Sequence, residues 1–121
     1  MNIILKIKNL KLTESFIVFI KNKIGGIKKL LKGFNKDNQK DVSEAFVEVE
    51  KETRHHKKGD IYRAEAKINL PGKSFVARAH GEDLGRAVVE VKDELEREIK
   101  KYKNKKIEIP LRKFRKTKDK F

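Results

Sequence analysis

Two groups of side chains have the types and spacing to do chemistry. One is a set of lysines, Lys21, Lys23, Lys28, Lys29 and Lys32, threaded through an apolar stretch. The other is Arg54-His55-His56-Lys57-Lys58, a basic run with no acid inside it. Ammonium and guanidinium groups at this density neutralise closely spaced phosphates and release their counterions. The histidines invite a metal reading, but adjacent residues such as His55 and His56 tend to point apart, and there is no cysteine to help. Polar contact with RNA phosphate or base, or simple loop filling, fits them better. Glu90, Glu94 and Glu98 recur at i,i+4, which reads as a solvated helix face rather than an acid/base pair. The chain has no glycine-rich phosphate loop, no zinc-protease helix motif and no nucleophile elbow. No constellation supports an enzyme, and no cofactor or small-molecule substrate is expected.

Charge points the same way. The 121 residues carry 32 Lys and Arg against 18 Asp and Glu, a net charge of +14. Such a field implies a polyanionic partner, nucleic acid ahead of an anionic membrane surface. The excess is uneven. Residues 1–40 hold ten lysines and two acids, and residues 41–80 hold eight basic and seven acidic groups. Residues 81–103 hold six and seven, and residues 104–121 hold eight and two. With no cysteine there is no disulfide framework, and no apolar run could span a bilayer or serve as a leader. The expectation is a soluble cytoplasmic protein.

The elements that position these groups follow from periodicity. Ile3, Leu5 and Ile7 alternate with Asn2, Lys6 and Lys8 in a first strand, with Ile4 on its outer face. Thr13 reads as an N-cap, and Phe16, Phe19, Ile20, Ile24, Ile27 and Leu31 form the apolar face of a helix over roughly 14–32. Lys21, Lys28, Lys29 and Lys32 lie off that face, and Lys23 lies at its margin. Gly25-Gly26 is a local conflict at which this helix bends or loosens. Ala45, Val47 and Val49, then Ala64, Ala66, Ile68 and Leu70, then Phe75, Ala77 and Ala79 mark three further strands. Phe46 and Val76 fall on their open face. Residues 53–60 form a basic hairpin loop between two of the strands.

Residues 81–103 form the clearest amphipathic helix, with Leu84, Ala87, Val88, Val91, Leu95, Ile99 and Tyr102 on one face and Asp83 as N-cap. Asp93 with Arg97, and Glu96 with Lys100, are spaced to pair at i,i+4. Lys100, Lys101 and Lys103 suit the negative end of the helix dipole. The order βαβββα predicts a two-layer α+β domain over residues 1–103, a four-stranded sheet with two helices on one face. Residues 104–121, with Pro110 blocking a helix, read as a basic disordered tail. Lys105 and Lys106 open that tail, whose interleaved aromatics could stack on single-stranded RNA.

Several stretches together resemble the ribosome hibernation-promoting factor and ribosome-associated inhibitor family, from Met1 to about Lys105. They are Leu12-Thr13-Glu14 after the first strand, residues 47–73, and residues 77–105 with Gly-x-Asp-Leu opening the helix, Leu95 to Arg97, and Lys101-Tyr102-Lys103. The resemblance implies a fold related in shape to double-stranded-RNA-binding domains. It also implies a function: occupation of the small ribosomal subunit, against its rRNA, in the channel for mRNA and tRNA anticodon ends, with translation blocked in starvation or stationary phase. It assigns contacts to Lys23, Arg97, Lys101 and Lys103. Charge and position add Lys21, Lys28, Lys29, Lys32, Arg54, His55, His56, Lys57, Lys58, Arg86, Lys100, Lys105 and Lys106.

The chain departs from the family at Glu94, where a basic residue is common, and at Gly85, where an aromatic is common. It lacks the extra C-terminal dimerisation domain of long members and so resembles a short form, expected as a monomer when free. Two other readings stand beside it. One is a general double-stranded-RNA binder. The other is a protein-interaction module on a stress regulator, using the open sheet face around Phe46 and Val76.

Overall fold

The alternation of small and branched apolar residues with charged ones sets the sheet. A computed structural model describes residues 2–31, 44–52, 61–70 and 72–119, with side chains as far as Asn104. Four strands, β1 (Asn2–Lys8), β2 (Glu44–Glu52), β3 (Ile61–Leu70) and β4 (Lys73–Gly81), lie in that spatial order. β1 runs parallel to β2, and β2–β3 and β3–β4 are antiparallel. Three helices complete the fold: α1 (Glu14–Gly25), α2 (Lys28–Leu31) and α3 (Leu84–Asp119).

One sheet face carries Ala45, Val47, Val49, Ala64, Ala66, Ile68, Phe75, Ala77 and Ala79, all buried. Against it pack Ile20, Ile24, Ile27 and Leu31 from the first helical segment and Leu84, Ala87, Val88, Val91, Leu95 and Ile99 from α3. The alanines let the helix backbones approach the sheet closely. Each buried leucine or isoleucine contributes about 1.5–3 kcal/mol relative to exposure. The expected two-layer α+β domain with its helices on one face is therefore the fold observed. Ile3 and Leu5 are partly buried as expected, whereas Ile7, near the end of the edge strand, is 36% exposed.

Both predicted N-caps are made. Thr13 Oγ1 accepts from the Phe16 amide at 3.2 Å, and Asp83 Oδ1 accepts from the Arg86 amide at 3.3 Å. The helix expected over 14–32 is two helices. The Gly26 amide donates to Asn22 O, but the Ile27 amide donates three residues back to Ile24 O, at 3.1 Å. That tighter turn breaks the α-helical ladder where two glycines weaken it. α2 resumes the direction of the apolar stripe, so Ile27 and Leu31 still reach the core.

The helix expected to stop at Lys103 does not stop there: the backbone of α3 continues through Pro110 to Asp119. An interior proline costs about 3 kcal/mol relative to alanine, while the flanking Lys, Arg, Leu and Glu residues favour the helix. The boundary at 103 read from Pro110 is thus corrected for the backbone. No helix among the described residues is long and apolar enough to cross a membrane.

Candidate nucleic-acid interface

α1 leaves the C-terminal end of β1, and α3 leaves the C-terminal end of β4, which points the same way. Both helices therefore begin at one end of the sheet and run toward the other, where α1 ends while α3 continues to Asp119. α2 packs on α3 at that far end. Lys28 and Lys29 thereby join Lys23 from the last turn of α1 and Lys100, Lys101 and Lys103 from α3. Lys21, Lys28, Lys29, Lys100 and Lys101 are exposed. Among the described residues, Lys21, Lys29, Lys100 and Lys101 have no ion-pair partner. Lys23 is half-buried, with its ammonium 5.7 Å from the centroid of the Phe19 ring.

A seventh lysine joins this end unpredicted. Lys73, opening β4, sits 5.6 Å from the Phe75 ring centroid and 5.4 Å from that of Tyr102. The two rings meet edge-on at 5.6 Å. The turn at residue 72 and the alternation of β4 were visible in the sequence. The approach of Tyr102 to Phe75 was not, because it depends on how α3 crosses the strand.

Other predicted residues lie elsewhere. Arg86 is exposed in the first turn of α3, at the opposite end of the helical layer. Arg97 is exposed, but its guanidinium holds Glu94 at 2.9 Å, so Asp93 is not its partner as the i,i+4 spacing predicted. Glu96 pairs with Lys92 at 3.3 Å and not with Lys100. Arg97 takes the carboxylate three residues before it, and Glu96 takes the lysine four residues before it in place of the one four residues after. Lys32, Arg54, His55, His56, Lys57 and Lys58 lie outside the described residues, as do the side chains of Lys105 and Lys106. β2 and β3 are paired as far as Glu52 and Ile61, at the end where α1 and α3 begin.

The open sheet face handles charge differently. Arg63 bonds Glu48 and Glu50, the latter at 2.8 Å, and Glu65 at 2.8 Å. Lys8 reaches Glu48 at 3.3 Å, Arg78 reaches Glu65 at 3.3 Å, and His80 Nε2 lies 3.3 Å from Glu52. The hydrogen bonds that Arg63 donates to Glu50 lead in holding its guanidinium charged, against the penalty of its partial burial. The hydrogen bond from Arg63 lowers the Glu48 carboxyl below its ordinary value, aided by Lys8. Cross-strand register builds this network: Lys6, Glu48, Glu65 and Arg78 face one another, as do Lys8, Glu50, Arg63 and His80. One row over, Ile4, Phe46, Lys67 and Val76 cross all four strands, and Ile4, Phe46 and Val76 are exposed.

The arrangement is thus a self-neutralised sheet backed by helices whose shared end carries open positive charge. No group of three or more metal-ligating side chains assembles among the described residues. Solved structures share the fold, two of them as follows. A Thermus thermophilus Protein Y N-terminal domain superposes with a TM-score of 0.60 at 23% identity, covering 84% of this chain and 99% of that one. A ribosomal subunit interface protein from Coxiella burnetii superposes with a TM-score of 0.63 at 17% identity, covering 85% and 98%. No curated protein sequence matches the chain. The family described as Sigma 54 modulation protein / S30EA ribosomal protein matches residues 3–107, so the chain belongs to that ribosome-associated family, the hibernation family its sequence resembles.

Proposed function

We propose that this protein is a cytoplasmic ribosome hibernation factor. It binds the small ribosomal subunit in the channel for mRNA and tRNA anticodon ends and blocks translation in starvation or stationary phase. The mechanism is steric and electrostatic, without catalysis. One observation carries the reading beyond family membership: Lys29, Lys100 and Lys101, without ion-pair partners among the described residues, gather where α2 packs on α3, in a domain whose sheet neutralises its own charge. Lys23, Lys28, Lys29, Lys73, Lys100, Lys101 and Lys103 contact rRNA phosphates, and each neutralised phosphate releases counterions. Folded RNA is read by shape, with few base-specific contacts. Glu94 stands where the family commonly has a basic residue and offsets Arg97, which shifts the attraction toward this lysine end. The free protein is a monomer.

Cosedimentation with small subunits, intact ribosomes and a duplex-RNA control, at low and moderate salt, tests the reading. Salt-sensitive preference for the small subunit and intact ribosomes supports it. Equal binding to any duplex replaces it with a general double-stranded-RNA binder. A second reading, a protein-interaction module, draws on the apolar row of Ile4, Phe46 and Val76, and partner binding that survives high salt favours it.

A further inference from the structure

The sheet has two open edges, and they are not alike. β1 is the shorter, and its open-face residues Lys6 and Lys8 place ammonium groups beside it, a common guard against strand addition. β4 spans nine residues and, among the described residues, leaves one side of its backbone without a partner strand. Its open-face residues are Ser74, Val76, Arg78 and His80, and Arg78 is turned inward across the sheet to Glu65. Between β4 and α3 runs a groove of about 580 Å³. Val76, Ala77, Arg78 and Ala79 line its strand side, with Arg78 answered by Glu65, and Glu90, Asp93, Glu94 and Arg97 line its helix side. Arg97 is taken up by Glu94, and Asp93 has only a 3.7 Å contact with Lys92. Glu90 has no partner among the described residues. On a chain of net charge +14, this is a local acidic surface flanking exposed strand backbone.

We propose that the β4 edge and its acidic groove bind an extended, basic peptide segment of a partner protein by strand addition. Backbone hydrogen bonds to β4 supply the pairing, and side-chain alternation supplies the specificity. Residues of the added strand that point to the helical side meet Glu90 and Asp93, so they are Lys or Arg. On the open side, the residue beside Val76 continues the row that ends there, so it is apolar. A second copy of this chain does not fit. Pairing β4 with its own copy in one continuous sheet would set α3 beside α3 and bring the two acidic walls together. RNA is repelled by the same carboxylates.

The test uses the free full-length protein without ribosomes, so it succeeds or fails independently of the hibernation reading. The probe is a capped, fluorescently labelled heptapeptide alternating Arg and Val, followed by anisotropy and by backbone amide NMR. Saturable binding with shifts concentrated in residues 73–81 is expected. Replacing Arg by Glu in the peptide abolishes binding, and a peptide of the same composition with Arg and Val in blocks binds about tenfold more weakly. N-methylating one alternate set of peptide amides abolishes binding, while methylating the other set is tolerated, because only one set faces β4. The E90K/D93K variant, on the outer side of α3, keeps its circular dichroism spectrum and loses about tenfold in peptide affinity. Absence of saturable binding overturns the proposal. So do indifference to N-methylation, displacement of the peptide from β4 by duplex RNA, and β4 shifts that depend on protein concentration, which would give this edge to a second copy.

Discussion

The two faces of this domain carry similar residue types and use them differently. On the sheet, Arg63 is 14% exposed and is ringed by Glu48, Glu50 and Glu65, so its charge is spent inside the molecule. At the C-terminal end of the helical layer, Lys29, Lys100 and Lys101 project without ion-pair partners among the described residues. A basic side chain is available to a polyanion when no fixed carboxylate already answers it. Cross-strand register provides such carboxylates at short range. Helix spacing provides them only in part, as for Arg97 and Lys92.

The contrast can be broken most strongly at the helical end. Reversing Lys23, Lys29, Lys100 and Lys101 to Glu is expected to weaken ribosome cosedimentation about a hundredfold and flatten its salt dependence, with unfolding by urea nearly unchanged. Undiminished binding would remove these lysines from the interface. The second effect lies on the sheet. R63M leaves several glutamates facing one another with their shared partner gone. It should cost about 2–3 kcal/mol in urea unfolding, less than the 3–5 typical of a broken, fully buried pair, while the folded variant still binds ribosomes.

A smaller effect isolates one carboxylate. Because Arg63 lowers the Glu48 carboxyl, that group contributes stability above the ordinary carboxylate range and loses it as pH falls through its lowered value. E48Q should therefore be less stable at neutral pH and show a shallower loss of unfolding free energy on acidification. An unchanged acid slope would mean the pair contributes nothing net. The smallest effect is at the junction carrying α2. A Cβ at Gly25 would meet Ile3 Cδ1 at 3.7 Å, an ordinary contact, so G25A should add about 0.5–1 kcal/mol of stability and leave ribosome affinity within twofold.

These regions were unequally legible in the sequence. β2, β3 and β4 declare themselves because their central inner residues are apolar and most outer ones are charged or polar, with Phe46 and Val76 standing out as large apolar exceptions. The caps Thr13 and Asp83 were equally visible, being local chemistry between residues three apart. The break at Gly25-Gly26 was visible as a conflict, but not as two helices, since the apolar stripe runs unbroken through Ile27 and Leu31. The Arg63 network could not be read, because it joins residues up to fifteen positions apart through a register set by the strands. Lys73 was missed for the same reason: its aromatic partners include Tyr102 on α3. The charge of the candidate site was legible. Its division between paired and unpaired groups required the fold.

The parallel placement of β1 has a kinetic consequence. β2, β3 and β4 form a meander whose pairings are local, whereas every β1–β2 pair joins residues forty-two positions apart, such as Asn2 with Glu44. Closing that loop costs chain entropy before any contact rewards it. The meander, covered by α3, is therefore expected to form first, with β1 docking last. Late docking also makes β1 the first strand to detach, so its amides should exchange with solvent faster than those of β2 or β3 while the rest of the domain stays folded.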